Sequence, residues 1–130
     1  MTLQVELVSP EGILFEGEGD MVIARTVGGG DFAFLSGHVP FVGSLATGVV
    51  KILQADNRSQ LIAAHRGFVS VANDRVSILS DVAELAGGID VARAEAAKAR
   101  AEEQLRARGD DDDARAALRR AEVRLQVARG

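Results

Sequence analysis

The sequence has no cysteine and only two histidines, His38 and His65. Disulfide frameworks, thiolate metal sites and cysteine nucleophiles are thereby excluded, and little is left to ligate a metal. With no Ser-His-acid set and two isolated histidines, an enzyme is not expected. There is no Gly-rich phosphate loop with its Lys-Ser/Thr pair and no evident Mg²⁺ cage, so nucleotide hydrolysis is not expected either. No run approaches the ~20 apolar residues of a membrane span, so direct membrane insertion is not expected. The opening Met-Thr-Leu-Gln-Val-Glu lacks the basic and apolar regions of a signal peptide, and a cytoplasmic location follows as the expectation. A net charge of −4 and a pI near 5.1 disfavour non-specific binding to nucleic acid, which requires a basic surface.

What is present divides in two. Residues 1–87 hold 5 basic and 10 acidic side chains, whereas residues 88–130 hold 10 and 9. In the first region short β-branched runs are broken by glycine and Asn/Asp, the rhythm of an all-β sandwich. Apolar residues at 3, 5 and 7 alternate with polar ones at 4 and 6, as in a strand with one wet face. Further strands are predicted over 13–16, 21–27, 31–35, 48–53, 60–64, 68–72 and 75–79. Asp56-Asn57 and Asn73-Asp74 predict two hairpin turns. Gly28-Gly29-Gly30 reads as a strand connection, since no helical pattern follows it.

After Gly87-Gly88 the composition turns to Ala, Arg, Glu and Leu. Val91, Ala94, Ala97, Ala101 and Leu105 form one stripe at helical spacing, and Ala114, Ala117, Leu118, Ala121, Leu125 and Ala128 a second. Asp90 and Asp113 are the predicted N-caps, and Gly109 the break between two antiparallel helices. The expected fold is α+β: an N-terminal antiparallel β-sandwich domain over residues 1–87, then a two-helix hairpin over 88–130. Alanine seams bury little area, so the hairpin is expected to be weakly docked and able to move. The run Asp110 to Asp113 lacks the alternating ligands and glycine of a calcium loop and reads as a solvated turn.

Three motifs carry a resemblance. Gly30-Asp31-Phe32-Ala33-Phe34-Leu35-Ser36-Gly37-His38-Val39-Pro40 ends in Gly-His-x-Pro; Gly67-Phe68-Val69-Ser70-Val71 is followed by Val76-Ser77-Ile78-Leu79-Ser80-Asp81; and Glu84 precedes Ile89-Asp90-Val91-Ala92-Arg93-Ala94. Over nearly all of its length the chain resembles the epsilon-subunit family of F-type ATP synthases, in some bacterial members of which the Ile-Asp-x-x-Arg-Ala element binds ATP. It departs from the family at Ala33-Phe34-Leu35-Ser36, more often Gly-Ile-Leu-Pro, and at Arg66, where the family has a second glycine.

The resemblance implies a non-catalytic rotor subunit with three partners: the gamma subunit, the membrane c-ring and the alpha/beta catalytic head. It would sit peripherally on the cytoplasmic face of the bacterial plasma membrane. Asp31 and His38 are the implied ring contacts, although the same loop reads equally as a simple turn. Arg106, Arg108, Arg115, Arg119 and Arg120 are implied contacts to the beta subunit, or simply the wet face of a hairpin. No cofactor is required, and ATP enters as a regulatory ligand of Glu84, Ile89, Asp90, Arg93, Arg100, Arg120 and Arg124. From spacing alone, Arg93 and Arg100 share a helix face, Arg120 and Arg124 are an i, i+4 pair, and an antiparallel fold would converge them; guanidinium forks suit phosphate oxygens. Asp90 and Arg93 read alternatively as a helix cap and an exposed cation. The competing function is a generic β-sandwich adaptor with a partner-binding hairpin.

Overall fold

Alternation dictates the first strand: in β1 (Leu3–Ser9) the side chains of Leu3, Val5 and Leu7 are fully buried while those between them reach solvent. The computed structural model describes residues 2–130. After β1 come β2 (Gly12–Gly19), β3 (Met21–Thr26), β4 (Gly30–Leu35), β5 (Phe41–Leu45), β6 (Gly48–Leu53), β7 (Ser59–Ala72), β8 (Arg75–Leu85), α1 (Val91–Arg108) and α2 (Asp112–Arg129).

The strands make two layers that share a bent hairpin. β7 pairs with β6 through residues 59–64 and with β5 through 67–71, and β8 pairs with it over 62–72. One layer is therefore β4-β3-β6 with the first half of β7 and the end of β8; the other is β5, the second half of β7, the start of β8, β1 and β2. All pairs are antiparallel except β1 with β8, which is parallel. Between the layers lies a core of Leu3, Val5, Leu7, Val22, Phe34, Leu45, Val50, Ile52, Ile62, Val69, Val71, Val76 and Ile78. No helix residue contributes to it.

The bend replaces the two predicted strands at 60–64 and 68–72 with one. Gly67 has φ +136, and a Cβ there would lie 1.9 Å from the Leu79 carbonyl oxygen, so only glycine fits. Its neighbour Arg66 is left-handed at φ 69, a conformation that costs a residue with a Cβ more than glycine. Strand β5 had no sequence signal, because Gly43 and the adjacent Pro40 break it; its pairing with β7 makes it a strand nonetheless. The Asp56-Asn57 and Asn73-Asp74 turns are left-handed, with φ between 51 and 64, as turns of that composition require.

Asp90 caps α1, accepting from the Arg93 amide at 3.1 Å. The second cap is corrected: Asp111, not Asp113, accepts from the amides of Asp113 and Ala114 at 3.0 and 3.2 Å. The helix starts two residues earlier, which leaves Asp112 and Asp113 inside its first turn, where carboxylates suit the helix dipole. Gly109, at φ 73, closes α1.

The hairpin lies folded against the sandwich through α2, with α1 outside it. Ala114, Ala121 and Leu125 of α2 and Ala94 and Ala101 of α1 are buried, as their stripes predicted. Val123 and Val127 are also buried, and they meet Ala63, Val49, Leu61 and Ile89 on the outer face of the first layer. This second stripe was not read from the sequence because it alternates with Arg120 and Arg124. Two valines stabilise docking by roughly 3–5 kcal/mol before ordering costs are subtracted.

Candidate functional site

At the joint between sandwich and hairpin the end of β8, the segment into α1, and α2 converge. Arg120, Val123, Arg124 and Val127 recur at i, i+3, i+4 and i+7, so the stripe that docks α2 carries two cations among its apolar residues. Arg124 donates from Nε to Glu84 Oε1 at 2.7 Å, an ion pair in which both side chains are mostly shielded from solvent. The same oxygen lies 3.1 Å from His65 Nε2, whose ring is buried beneath it in β7. As Oε1 can only accept, the proton sits on Nε2. His65 Nδ1 is buried with no hydrogen-bond partner among the described residues. Burial, together with the Arg124 charge, holds the imidazole below its ordinary pKa, against the opposing pull of Glu84; the ring is neutral at pH 7.

Beside this cluster is a cavity of about 300 Å³ lined by Glu84, Gly88, Asp90, Arg93, Ala94, Ala97, Arg100 and Arg124. Five of the seven residues expected to bind ATP thus line one cavity, from β8, α1 with its N-cap, and α2. Ile89 does not line it; its side chain packs with Val123 and Val127. Arg120 also lies off the lining, on the docked stripe, where its charge reaches His65. The small side chains of Ala94 and Ala97 leave the space open, and three guanidiniums facing a neutral-to-acidic floor can grip phosphate oxygens while Asp90 and Glu84 offer acceptors to a base or ribose. The cap reading of Asp90 holds, since its carboxylate accepts from the Arg93 amide; the residue also edges the cavity. His65, read from sequence as isolated, belongs to this site; its partner lies 19 residues on, and only the β7–β8 register reveals the pair.

The expected ring contacts are not brought together. Asp31 stands at the start of β4, exposed, 3.9 Å from Arg25, whereas His38 follows the other end of that strand. His38 is braced: Nδ1 is 2.6 Å from the Val39 carbonyl, and its ring packs edge-on against Phe34 and Phe41 at centroid distances of 5.1 and 6.5 Å. The turn itself is tied down by Asp74, which accepts from the Gly37 amide at 2.7 Å. At the hairpin tip the arginines are locally paired: Arg106 with Glu103 at 2.5 Å, and Arg115 with Asp110 and Asp112. Arg108 is exposed and Arg119 half-buried. At the far end of the hairpin Arg129 pairs with Glu95 across the two helices.

Residues 2–86 match the family model described as ATP synthase, Delta/Epsilon chain, beta-sandwich domain, and residues 88–129 that described as ATP synthase, Delta/Epsilon chain, long alpha-helix domain. The chain belongs to the ATP synthase delta/epsilon chain family. Among members of that family it is similar to the ATP synthase epsilon chain of Thermobifida fusca, 51% identical over 98% of this chain and 92% of that one. The epsilon chain of Bacillus velezensis is 43% identical over the same shares, and that of Streptomyces griseus 43% over 96% and 94%. The fold matches a chain of the Euglena gracilis mitochondrial ATP synthase with a TM-score of 0.73 at 19% identity, covering 98% of this chain and 78% of that one. A chain of the Tetrahymena thermophila mitochondrial ATP synthase matches with a TM-score of 0.57 at 15% identity.

Proposed function

We propose that this epsilon-type chain is a non-catalytic central-stalk subunit that couples rotation between gamma and the c-ring and restrains ATP hydrolysis through its C-terminal helices, with ATP as a regulatory ligand. It works peripherally on the cytoplasmic face of a bacterial plasma membrane, against the alpha/beta catalytic head. The observation that carries this reading is the construction of the joint. A sandwich with its own complete core holds a helix pair by one short apolar stripe, and beside that stripe Arg93, Arg100 and Arg124 face one cavity.

Such a hairpin leaves its seat when a partner supplies a few kcal/mol of differential contact, and a phosphate ligand that bridges α1, α2 and the sandwich opposes that release. The folded hairpin then permits hydrolysis and the extended one blocks it. The face offered to gamma is the outer face of the second layer, where Val42, Phe68 and Leu79 stay 76%, 58% and 57% exposed; Phe68 and Leu79 are direct cross-strand neighbours. The ring-facing end carries His38 on its braced turn.

The experiment is ATP hydrolysis by an epsilon-depleted catalytic head with gamma, to which the full chain or a version ending at Gly87 is added. The full chain is expected to inhibit, and the shortened one to bind with little inhibition, since its core needs no helix residue. Binding by neither would overturn the stalk reading in favour of the adaptor. ATP is expected to relieve inhibition by the full chain and to lose that effect with Arg100→Ala.

A further inference from the structure

His65 is 4% exposed, sits in the middle of the longest strand, and its side chain makes one polar contact among the described residues, with Glu84 Oε1. That oxygen accepts a second hydrogen bond, from Arg124. A single carboxylate oxygen therefore joins a buried side chain on the outer face of the first layer, where Ala63 also lies, to the docked face of the hairpin. Glu84 also edges the arginine cavity, so its orientation decides where Arg124 stands relative to Arg93 and Arg100.

We propose that His65 is the positioning residue of the hairpin's seat: its buried Nε2–H fixes the Glu84 carboxylate toward Arg124, and protonation of the ring releases the hairpin. The proposal rests on the reading above that the hairpin docks and leaves. The charged groups that act on the ring are Glu84 from β8 and Arg124 and Arg120 from α2; β6 brings Gly48 to the neighbouring residue Ala64, and its cation, Lys51, lies opposite Leu61, four residues along β7 from His65. When α2 is seated, burial and two guanidiniums oppose an imidazolium, while Glu84 alone favours it. When α2 leaves, both guanidiniums and much of the burial leave with it, and Glu84 stays. The seated state therefore binds protons less readily than the free one. Seating is at full strength above the ordinary histidine range and is lost as pH falls through about 6.5.

The absence of cysteine allows a clean measurement on the full chain: Ser59→Cys and Ala99→Cys, both at exposed positions, carry a dye pair whose energy transfer reports the seated fraction. Between pH 7.5 and 5.5 the seating constant is expected to fall by about threefold or more, the scale of a partly shielded charge contact. His65→Gln keeps a donor at the same reach and does not titrate, so seating should persist and its pH dependence vanish. His65→Leu removes the donor, and seating should weaken about tenfold at pH 7.5. A wild-type profile flat in pH overturns the proposal, as does His65→Gln retaining the slope. If His65→Leu impairs the sandwich, the slopes of wild type and His65→Gln still decide. ATP is added in a separate arm: seating that follows pH but ignores ATP leaves the clamp standing and removes the ATP-sensing reading, whereas a hairpin that stays seated throughout overturns both.

Discussion

The sandwich and the hairpin are held by opposite means. The sandwich closes a continuous core of fully buried Leu, Ile, Val and Phe side chains, and its strands are tied by long-range ladders. The hairpin has alanine seams between its own helices, and its seat on the sandwich is a pair of valines, an alanine and an isoleucine edge plus one shared carboxylate. The same chain thus devotes most of its apolar volume to the sandwich and little to the seat of the hairpin, the part proposed to let go. Under the proposed function stability is distributed by task, with the element that moves at the weak end of the protein's range of local stabilities.

That contrast can be broken at its strongest point by Gly67→Ala. The added Cβ would meet the Leu79 carbonyl at the bend, and urea unfolding is expected to lose about 3 kcal/mol or more in the sandwich transition, because backbone has to shift. Val123→Ala tests the other side. It should weaken seating by about 1.5 kcal/mol, read by hydrogen exchange in α2, and leave the urea midpoint of the sandwich transition unchanged. Asp111→Ala should reduce the helicity and exchange protection of the start of α2 by about 1 kcal/mol, whereas Asp113→Ala should stay within about 0.5. Equal effects at the two positions would reverse the assignment of the cap. Arg66→Gly should give the smallest change: relief of a left-handed residue, less the entropy of glycine, is expected to add about 0.5 kcal/mol to the sandwich and nothing to seating.

The division into sandwich and hairpin was legible in the sequence because period and composition change together at Gly87-Gly88. The layers were not. Which strands share a sheet depends on the bend at Arg66 and Gly67 and on a parallel β1–β8 pairing, neither of which leaves a local periodic trace. Strand β5 escaped notice since its glycine and its preceding proline argue against a strand until β7 lies alongside. For the site, spacing placed Arg93, Arg100 and Arg124 on converging faces, and the cavity contains all three. Ile89 and Arg120 went elsewhere: the first is apolar and turned to the valines, and the second lies on the docked stripe, off the lining. Asp31 and His38 are close in sequence, but an intervening extended strand separates them. His65 could have been found only by pairing β7 with β8 in register, which sets His65 beside Val82 and brings Glu84 within reach.

The bend in β7 has a mechanical meaning as well. In two independent sheets stacked face to face, a sideways load is resisted only by interdigitated side chains, which slip by changing rotamers. Here β7 and β8 pass from one layer into the other as a continuous ladder, so the two plates meet along a folded edge of covalent backbone. Sliding one plate over the other would stretch that edge or strip its hydrogen bonds. A twist applied at one face is therefore handed to the opposite face with little lost as internal shear.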